Sequence, residues 1–220
     1  MLTAKKNDFI KLMQASGVLL FGDFTLKSGR KSPYFINMGN FRTGAQLDAL
    51  GKAYAAQIKA VVGDDFTALF GPAYKGIPLA AVAAAALYRE FAIDKPYCFD
   101  RKEAKDHGEG GKLVGYQPQD GDRLIITEDV ITAGTALREV LPVLKAQANV
   151  TVPHMFIAVD RMERTGEDGF SAVQQIKAEF DIDVHAVVTI ADIFEYLQAQ
   201  NADADLLVRM EAYRAEHCVA

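Results

Sequence analysis

The clearest helical pattern in the chain lies in the segment TGAQLDALGKAYAAQIKAVV, which begins at Thr43. Its apolar residues recur with the spacing of one helix face. They are Leu47, Leu50, Tyr54, Ile58 and Val61. Thr43 and Gln46 have the spacing of a capping box, in which each residue satisfies a backbone amide of the other. The pattern predicts an amphipathic helix that begins just after Thr43.

Short apolar runs bounded by turn residues follow, and each is too brief for a helix. These runs are TALFGP, PYCFD, RLIITEDV, VPHMFIAVD and VHAVVTI. Between most of them lie stretches with helical character, namely Gly76 to Phe91, Gly134 to Gln147, Asp168 to Phe180 and Asp192 to His217. Alternating strands and helices predict an α/β fold with a mostly parallel sheet that helices cover on both faces. Ligands of such sheets bind beyond the carboxyl ends of the strands, so the loops there are the candidate sites.

Length, composition and charge limit the class of protein further. A chain of 220 residues with 50% hydrophobic residues fits a globular protein, and we expect a single domain spanning residues 1–220. The net charge of −5 is opposite to the basic excess that nucleic-acid binding requires. Cys98 and Cys218 form no CxxC pair and are expected to be reduced thiols. No apolar segment resembles a signal peptide or a membrane span, so we expect no membrane partner and a cytoplasmic location.

The segment RLIITEDVITAGTALREV contains the strongest candidate site. An apolar strand ends in the carboxylates Glu128 and Asp129, and a turn from Thr132 to Thr135 then leads into a helix. Backbone amides at such a turn bind phosphate, and the carboxylates can accept hydrogen bonds from sugar hydroxyls. The combination favours a phosphorylated ribose as ligand. The alternative is an acidic helix entry that only complements the helix dipole.

The segment FGPAYKGIPLAA places Lys75 at the end of another strand, where a phosphate could lie. An ordinary loop with a solvated lysine remains the alternative. The segment VDRMERTG places Arg161 after a further strand, where its guanidinium could bind a carboxylate bidentately. A salt bridge at the strand end explains Arg161 nearly as well.

The segment RKEAKDHGEGGKLVG is polar and rich in glycine, which predicts a mobile loop. Its cations are Arg101, Lys102, Lys105 and Lys112, and His107 lies among them. Loops of this kind commonly close over polyphosphate substrates, although a solvated hairpin is the alternative. GEGGK lacks the spacing of a P-loop.

Near the N-terminus, FTLKSGRKSPYF brings Lys27, Arg30 and Lys31 close in sequence to the aromatic residues Tyr34 and Phe35. A flat aromatic anion could bind there by stacking and charge. A hairpin with one buried face is the alternative for the apolar positions.

Together these segments resemble a known family. TEDVITAGTA resembles the phosphoribosyl diphosphate motif of type I phosphoribosyltransferases, and the strings FTLKSGRKSPYF, FGPAYKGIPLA, FDRKEAKDHGEGG and VDRMER narrow the resemblance to the orotate phosphoribosyltransferase family. The resemblance implies the type I phosphoribosyltransferase fold with a small hood formed mainly by the N-terminal ~40 residues. It also implies transfer of ribose 5-phosphate to orotate, with Mg²⁺ held mainly through substrate oxygens, and it assigns no protein ligand to the metal.

The resemblance implies catalytic roles for Arg101, Lys102, Lys105 and His107, on a loop that reaches into the neighbouring site of a homodimer. The substrate-binding residues that it implies are Lys27, Tyr34, Phe35, Tyr74, Lys75, Glu128, Asp129, Val130, Ile131, Thr132, Ala133, Gly134, Thr135, Ala136 and Arg161. Within this set, Thr132 and Arg161 match contacts to orotate, and Glu128 to Ala136 match the ribose-phosphate loop.

One position departs from the family pattern, because the first acid of the motif is usually Asp and is Glu128 here. The longer carboxylate can still reach a ribose hydroxyl. Two rival functions share part of the pattern. A purine phosphoribosyltransferase has no reason for the string that contains Lys27, Tyr34 and Phe35, and a non-catalytic regulator with this fold could dispense with the loop cations.

Overall fold

A computed structural model gives the fold and describes residues 2–26, 29–105, 111–131, 134–166 and 169–219, without the side chains of residues 103–105 and 111. The helices in these ranges are α1 (Ala4–Ala15), α2 (Gly44–Val61), α3 (Gly76–Phe91), α4 (Thr135–Gln147), α5 (Ala172–Phe180), α6 (Ile190–Ala199) and α7 (Ala204–His217). The strands are β1 (Leu19–Thr25), β2 (Lys31–Ile36), β3 (Ala68–Gly71), β4 (Tyr97–Lys105), β5 (Gly111–Gly115), β6 (Arg123–Val130), β7 (Thr151–Asp160) and β8 (Asp183–Thr189).

The central sheet has six strands in the order β5-β4-β3-β6-β7-β8. Every pair is parallel except β4 with the edge strand β5, so the predicted mostly parallel sheet is confirmed. Strands β1 and β2 form a separate antiparallel hairpin in the region where we expect the hood. That this region acts as a hood, and that residues 1–220 form one domain, stay predictions.

Helices cover both faces of the central sheet. Neighbouring residues of a strand point to opposite faces, so two consecutive residues of β6 show both cores. Ile125 of β6 belongs to a core that includes residues of α1, α2, α3, α6 and α7. The next residue, Ile126, packs with residues of α4 and α5 on the other face. Both residues are fully buried, as the apolar run RLIITEDV predicts.

The pattern from Thr43 is confirmed as α2. Gln46 donates its backbone N–H to Thr43 Oγ1 at 3.3 Å, and the Thr43 amide donates to Gln46 Oε1 at 3.1 Å. Leu50, Tyr54 and Ile58 are buried, but Val61 at the helix end is 39% exposed. The buried face of α2 therefore ends before Val61, although the spacing of apolar residues includes it.

Several predicted bounds are wrong. The stretch from Asp192 to His217 is two helices, because Asn201 adopts a left-handed conformation (φ 50°) and Asp203 caps α7 by accepting from Leu206 N. Helix α5 begins at Ala172, after its Ser171 cap, rather than at Asp168, which lies outside the described residues. Helix α1 was not predicted. Across the described ranges, no helix is both long enough and apolar enough to cross a membrane.

Candidate active site

The order in which the chain adds strands to the central sheet reverses between the neighbouring strands β3 and β6. From β3 the chain continues to β4 on one side, and from β6 it continues to β7 on the other. Ligands of open parallel sheets bind beyond the strand ends at such a point. A cleft of about 340 Å³ lies there. Its lining includes the predicted site residues Tyr74, Lys75, Glu128, Asp129, Val130, Ile131, Gly134, Thr135 and Ala136.

The N-terminus of α4 forms one wall of this cleft. Gly134 precedes the helix with φ 67°, a left-handed conformation that glycine adopts without strain. None of the described side chains caps the helix, so its first amides are not taken up by a side-chain cap and are available to an anion. Thr132 and Ala133 of the same turn lie outside the described residues. The part that is described has the geometry of a phosphate cradle.

Glu128 and Asp129 belong to β6, and α4 has no acidic residue in its first turn. This argues against the alternative in which they only complement the helix dipole. Asp129 is nearly buried, and its Oδ2 accepts from Lys75 Nζ at 2.7 Å, while its Oδ1 accepts from the Val130 amide at 2.8 Å. Lys75 is therefore not simply solvated, since it spans the cleft from the β3–α3 loop to the β6 carboxylate.

Glu128 lies beside Asp129 on β6 and is partly buried. Burial raises the pKa of its carboxyl group to about 7, and the neighbouring Asp129 charge adds to the effect while Lys75 opposes it. The Glu128 Oε1 accepts from the Asp129 amide at 3.0 Å, and its backbone carbonyl accepts from Tyr54 OH at 2.7 Å. The free protein therefore binds a proton at Glu128 more tightly than an ordinary glutamate side chain does.

The β3–α3 loop is held in place by close backbone packing. A Cβ atom on Gly71 would lie 2.2 Å from the Gly76 carbonyl oxygen, so only glycine fits there. The Ala73 amide donates to Asp100 Oδ1 of β4 at 2.7 Å. Tyr74 is 72% exposed at the mouth of the cleft. The loop therefore presents Tyr74 and Lys75 to a ligand from a fixed backbone.

Arg161 lies just after β7 and lines a smaller cavity that shares Ile131 with the main cleft. Its Nη2 donates to Glu163 Oε1 at 2.6 Å, and its Nε donates to Tyr34 OH at 3.3 Å. Burial disfavours the guanidinium charge, but Tyr34 and Glu163 outweigh it and raise the Arg161 pKa. The strand-end salt bridge that we considered as an alternative does exist in the free protein, and it leaves Arg161 beside the cleft.

Tyr34 and Phe35 do not face the same site. Tyr34 is fully buried against Arg161, whose guanidinium carbon lies 5.4 Å from the ring centroid. Phe35 points to the other face of the hairpin and stacks on Phe24 with centroids 5.5 Å apart. Successive residues of a strand point to opposite faces, which the sequence pair alone conceals. Of these two aromatic residues, Tyr34 is the one that contacts another predicted site residue, Arg161.

We predicted a loop from Arg101 to Lys112, but Arg101 to Lys105 continue strand β4, and Lys105 lies opposite Gly111 of β5 after an irregularity in the register. This agrees with the hairpin alternative for its backbone. Lys102 lies on the surface and contacts Glu139 at 3.2 Å. Arg101 is partly buried on the same strand. The side chain of Lys105, and Lys27 and His107 altogether, lie outside the described part of the chain, so their predicted roles stay predictions.

The site suits a metal that arrives with its substrate. The described residues contain no cluster of three or more potential metal-ligating side chains. Mg²⁺ in phosphate chemistry commonly binds through one or two carboxylates together with substrate oxygens and water. Glu128 and Asp129 are the carboxylates that line the cleft, so their chemistry fits such an ion.

Sequence reasoning missed four residues that shape the site. Asp100 holds the β3–α3 loop, and Tyr54 holds the end of β6. Glu163 and Tyr213 bind each other and surround Arg161. Glu163 is two residues from Arg161 in the string VDRMERTG, which was a usable signal, whereas nothing local marks Tyr213.

Comparison with known proteins agrees with this geometry. The family model of the phosphoribosyl transferase domain matches residues 40–192, so the cleft and the sheet define a phosphoribosyltransferase. The orotate phosphoribosyltransferase of Clostridium beijerinckii is 49% identical over 208 residues, covering 94% of this chain and 92% of that protein. That of Cellvibrio japonicus is 49% identical over 214 residues, covering 97% of each chain.

A crystal structure of orotate phosphoribosyltransferase from Francisella tularensis is also similar, with a TM-score of 0.86 and 40% identity. The match covers 96% of this chain and 100% of that one. The chain belongs to the orotate phosphoribosyltransferase family.

Proposed function

We propose that the protein transfers the ribose 5-phosphate group of 5-phospho-α-D-ribose 1-diphosphate to orotate, giving orotidine 5′-phosphate and diphosphate in pyrimidine biosynthesis. The observation that carries the proposal is the shared wall at Ile131, which joins the phosphate cleft to the Arg161 cavity. A phosphorylated sugar and an anionic base could therefore bind side by side. Family membership supports the same pair of substrates.

In this proposal the phosphate of the donor binds the amides at the start of α4, and the ribose hydroxyls donate to Asp129 and Glu128. Asp129 already accepts from Lys75 in the free protein, so the sugar competes for an oxygen that a cation holds in place. Lys75 then remains beside the diphosphate as a fixed positive charge. Lys75 thus binds Asp129 in the free protein and lies next to the diphosphate leaving group once the donor is bound.

Arg161 binds the carboxylate of orotate in this scheme, close to the Tyr34 ring. The ring nitrogen of orotate then attacks the anomeric carbon as diphosphate leaves through an oxocarbenium-like state. Such a reaction needs the leaving-group charge neutralised and water excluded more than it needs a strong protein nucleophile. We assign that neutralisation to Arg101, Lys102, Lys105 and His107. Thr132 contributes a further contact to orotate.

The proposal includes Mg²⁺, held mainly by diphosphate and ribose oxygens near Glu128 and Asp129, where it would neutralise charge on the leaving group. It also includes a homodimer with shared sites, because β4 and β5 form a hairpin at the open edge of the sheet that could reach another subunit. A cytoplasmic location accords with Cys98 and Cys218, which are buried free thiols.

The test is an absorbance assay for base consumption with phosphoribosyl diphosphate and Mg²⁺. We expect orotate to be used and uracil to be used poorly, since uracil lacks the carboxylate that Arg161 would bind. Arg161→Ala should raise the KM for orotate about tenfold or more, the scale for losing a charged hydrogen bond. Arg164→Ala is the control, because the Arg164 guanidinium donates to the Glu216 backbone carbonyl at 2.9 Å and Arg164 lines neither the cleft nor the Arg161 cavity. Equal use of orotate and uracil by the unchanged protein would overturn the assignment.

A further inference from the structure

Glu163 lies at the centre of a hydrogen-bonded cluster behind Arg161. Its Oε1 accepts from Tyr34 OH at 3.0 Å, from Arg161 Nη2 at 2.6 Å and from Tyr213 OH at 2.6 Å. Its Oε2 accepts from Arg30 Nη1 at 3.3 Å. The Glu163 side chain is only 15% exposed. A carboxylate with this many donors is held in one orientation.

The backbone around Glu163 is fixed as well. Glu163 forms an isolated antiparallel bridge with Cys218 at the end of the chain. The Arg164 amide donates to the His217 carbonyl at 2.8 Å, and the Val219 amide donates to the Met162 carbonyl at 2.8 Å. The end of α7 is thereby attached to the segment that follows β7. Both the side chain and the main chain of Glu163 depend on the C-terminal helix.

This arrangement determines which part of Arg161 is left for a ligand. Nε and Nη2 are bound by Tyr34 and Glu163, while Nη1 has no hydrogen-bond partner among the described residues. A long arginine side chain loses considerable rotamer entropy when it binds a carboxylate. Since the cluster already fixes the guanidinium, less of that entropy remains to be lost on binding.

The charge of the cluster also suits an anionic ligand. Arg161 paired with Glu163 alone would be neutral, but Arg30 adds a second guanidinium to the same carboxylate. Two cations therefore share one anion within the cluster. A substrate carboxylate approaching Nη1 of Arg161 meets a guanidinium whose counter-ion is shared with Arg30 rather than a closed one-to-one ion pair.

We propose that Glu163 is a positioning residue that holds the Arg161 guanidinium in the orientation that binds the orotate carboxylate, and that Tyr213 of α7 holds Glu163 in turn. The inference rests on the proposed function. It gives the C-terminal helix a part in selecting the base, although no residue of α7 lines the main cleft.

The test compares Glu163→Gln and Tyr213→Phe with the unchanged protein, measuring KM for each substrate, kcat and thermal stability. Glu163→Gln should raise the KM for orotate about tenfold, with the KM for phosphoribosyl diphosphate and kcat within about twofold. Tyr213→Phe removes one hydroxyl and keeps the ring, so we expect a smaller rise in the same constant. Glu211→Gln, an exposed position on α7, is the control and should change nothing.

A double variant separates positioning from direct binding. If Glu163 acts through Arg161, Glu163→Gln should add little to the orotate KM once Arg161→Ala is present. An unchanged orotate KM in folded Glu163→Gln would overturn the inference, as would an equal loss for both substrates together with lower stability. A wild-type protein that does not consume orotate would instead overturn the proposed function, before any variant is made.

Discussion

Two adjacent carboxylates in the cleft have different environments. Asp129 is paired with Lys75 at 2.7 Å, whereas Glu128 forms no ion pair within the described part of the chain, and its backbone carbonyl accepts from Tyr54 OH. Burial therefore raises the pKa of the Glu128 carboxyl group to about 7. Ionising Glu128 in the cleft therefore costs stability, because Lys75 and the Asp129 amide offset only part of the cost of burial.

Glu128→Gln should therefore stabilise the free protein at high pH. The folded protein raises the pKa of Glu128 from 4.5 to about 7, so it binds the proton more tightly than the unfolded chain does. The resulting stability is present at low pH and lost as pH rises through 7. Gln cannot ionise, and its amide oxygen can still accept from the Asp129 amide. We expect a gain on the order of 1–3 kcal/mol at pH 8 and much less at pH 5.

Urea unfolding of the free protein at both pH values measures this difference. Glu211→Gln serves as the matched control, because Glu211 is exposed on α7 and has no comparable burial. A gain of the same size at pH 5 and pH 8 would mean that shape, rather than charge, explains the effect. No gain at pH 8 would mean that Glu128 is solvated well enough to ionise freely.

At the scale of elements, the spacing of apolar residues predicted the helices and strands whose formation depends mainly on their own sequence. Helix α3 has the bounds Gly76–Phe91 that the apolar run suggested, and the strand from RLIITEDV is β6. Helix α1 was not predicted because half of its sequence AKKNDFIKLMQA is polar and its apolar residues form only a short face. Only Phe9, Ile10 and Met13 are buried, and contacts with distant elements stabilise the helix.

The candidate site likewise has one part that the sequence predicts and one part that it does not. The phosphate cradle was predictable because its strand, carboxylates and turn are contiguous in sequence. The cluster around Arg161 was not, because Tyr34 and Glu163 are separated by 129 residues and Tyr213 and Glu163 by 50. Such contacts arise from the packing of α7 against β2 and from the attachment of the end of α7 to the segment after β7. No local pattern encodes them.

The α2–α3 interface gives a test at this scale. A Cβ atom on Gly51 would lie 2.6 Å from the Val82 carbonyl oxygen, so Gly51→Ala must push α2 away from α3. We expect a loss of about 1–3 kcal/mol, as for other overpacked contacts. Gly44→Ala in the first turn of α2 meets nothing within 4 Å and should stay within about 0.5 kcal/mol of the unchanged protein.

Chemical denaturation of both glycine variants measures the difference directly. Equal stability of Gly51→Ala and Gly44→Ala would show that the helices can separate without loss. The activity of Gly51→Ala is a second readout, since α2 also carries Tyr54, which binds the end of β6. A fall in activity beyond the loss of folded protein would connect this interface to the cleft.

At the scale of the whole molecule, the cleft and two of the predicted cations, Arg101 and Lys102, lie at the same end of the sheet. Strands β3 and β4 are parallel neighbours, with Gly71 opposite Phe99. Arg101 and Lys102 therefore lie on the part of β4 that continues past the end of β3, on the side where Lys75 follows β3. Lys102 nevertheless binds Glu139 on the surface of α4 rather than a residue of the cleft. This accords with our proposal that the loop serves the site of a second subunit.

Mixed dimers test that shared site. Lys105→Ala should cut turnover by roughly 10² to 10³, the scale for losing one group that stabilises transition-state charge. Asp129→Ala should disable the same site from the opposite chain, because it removes the carboxylate that binds ribose. A dimer containing one chain of each kind then has one site with both defects and one site with neither. Random re-pairing of equal amounts makes about half of the dimers mixed, so activity should recover to roughly a quarter of wild type.

Each variant incubated alone is the control and should stay inactive, since every site in its dimers has a defect. Subunit exchange must be followed by mass spectrometry in the same samples. Exchange without recovery would mean that each loop closes over its own chain's cleft, and the shared site would then be excluded. A single subunit mass under native conditions, with full activity, would exclude it more directly. Recovery near a quarter requires loop and carboxylate to come from different chains, because no arrangement within one chain restores an intact site.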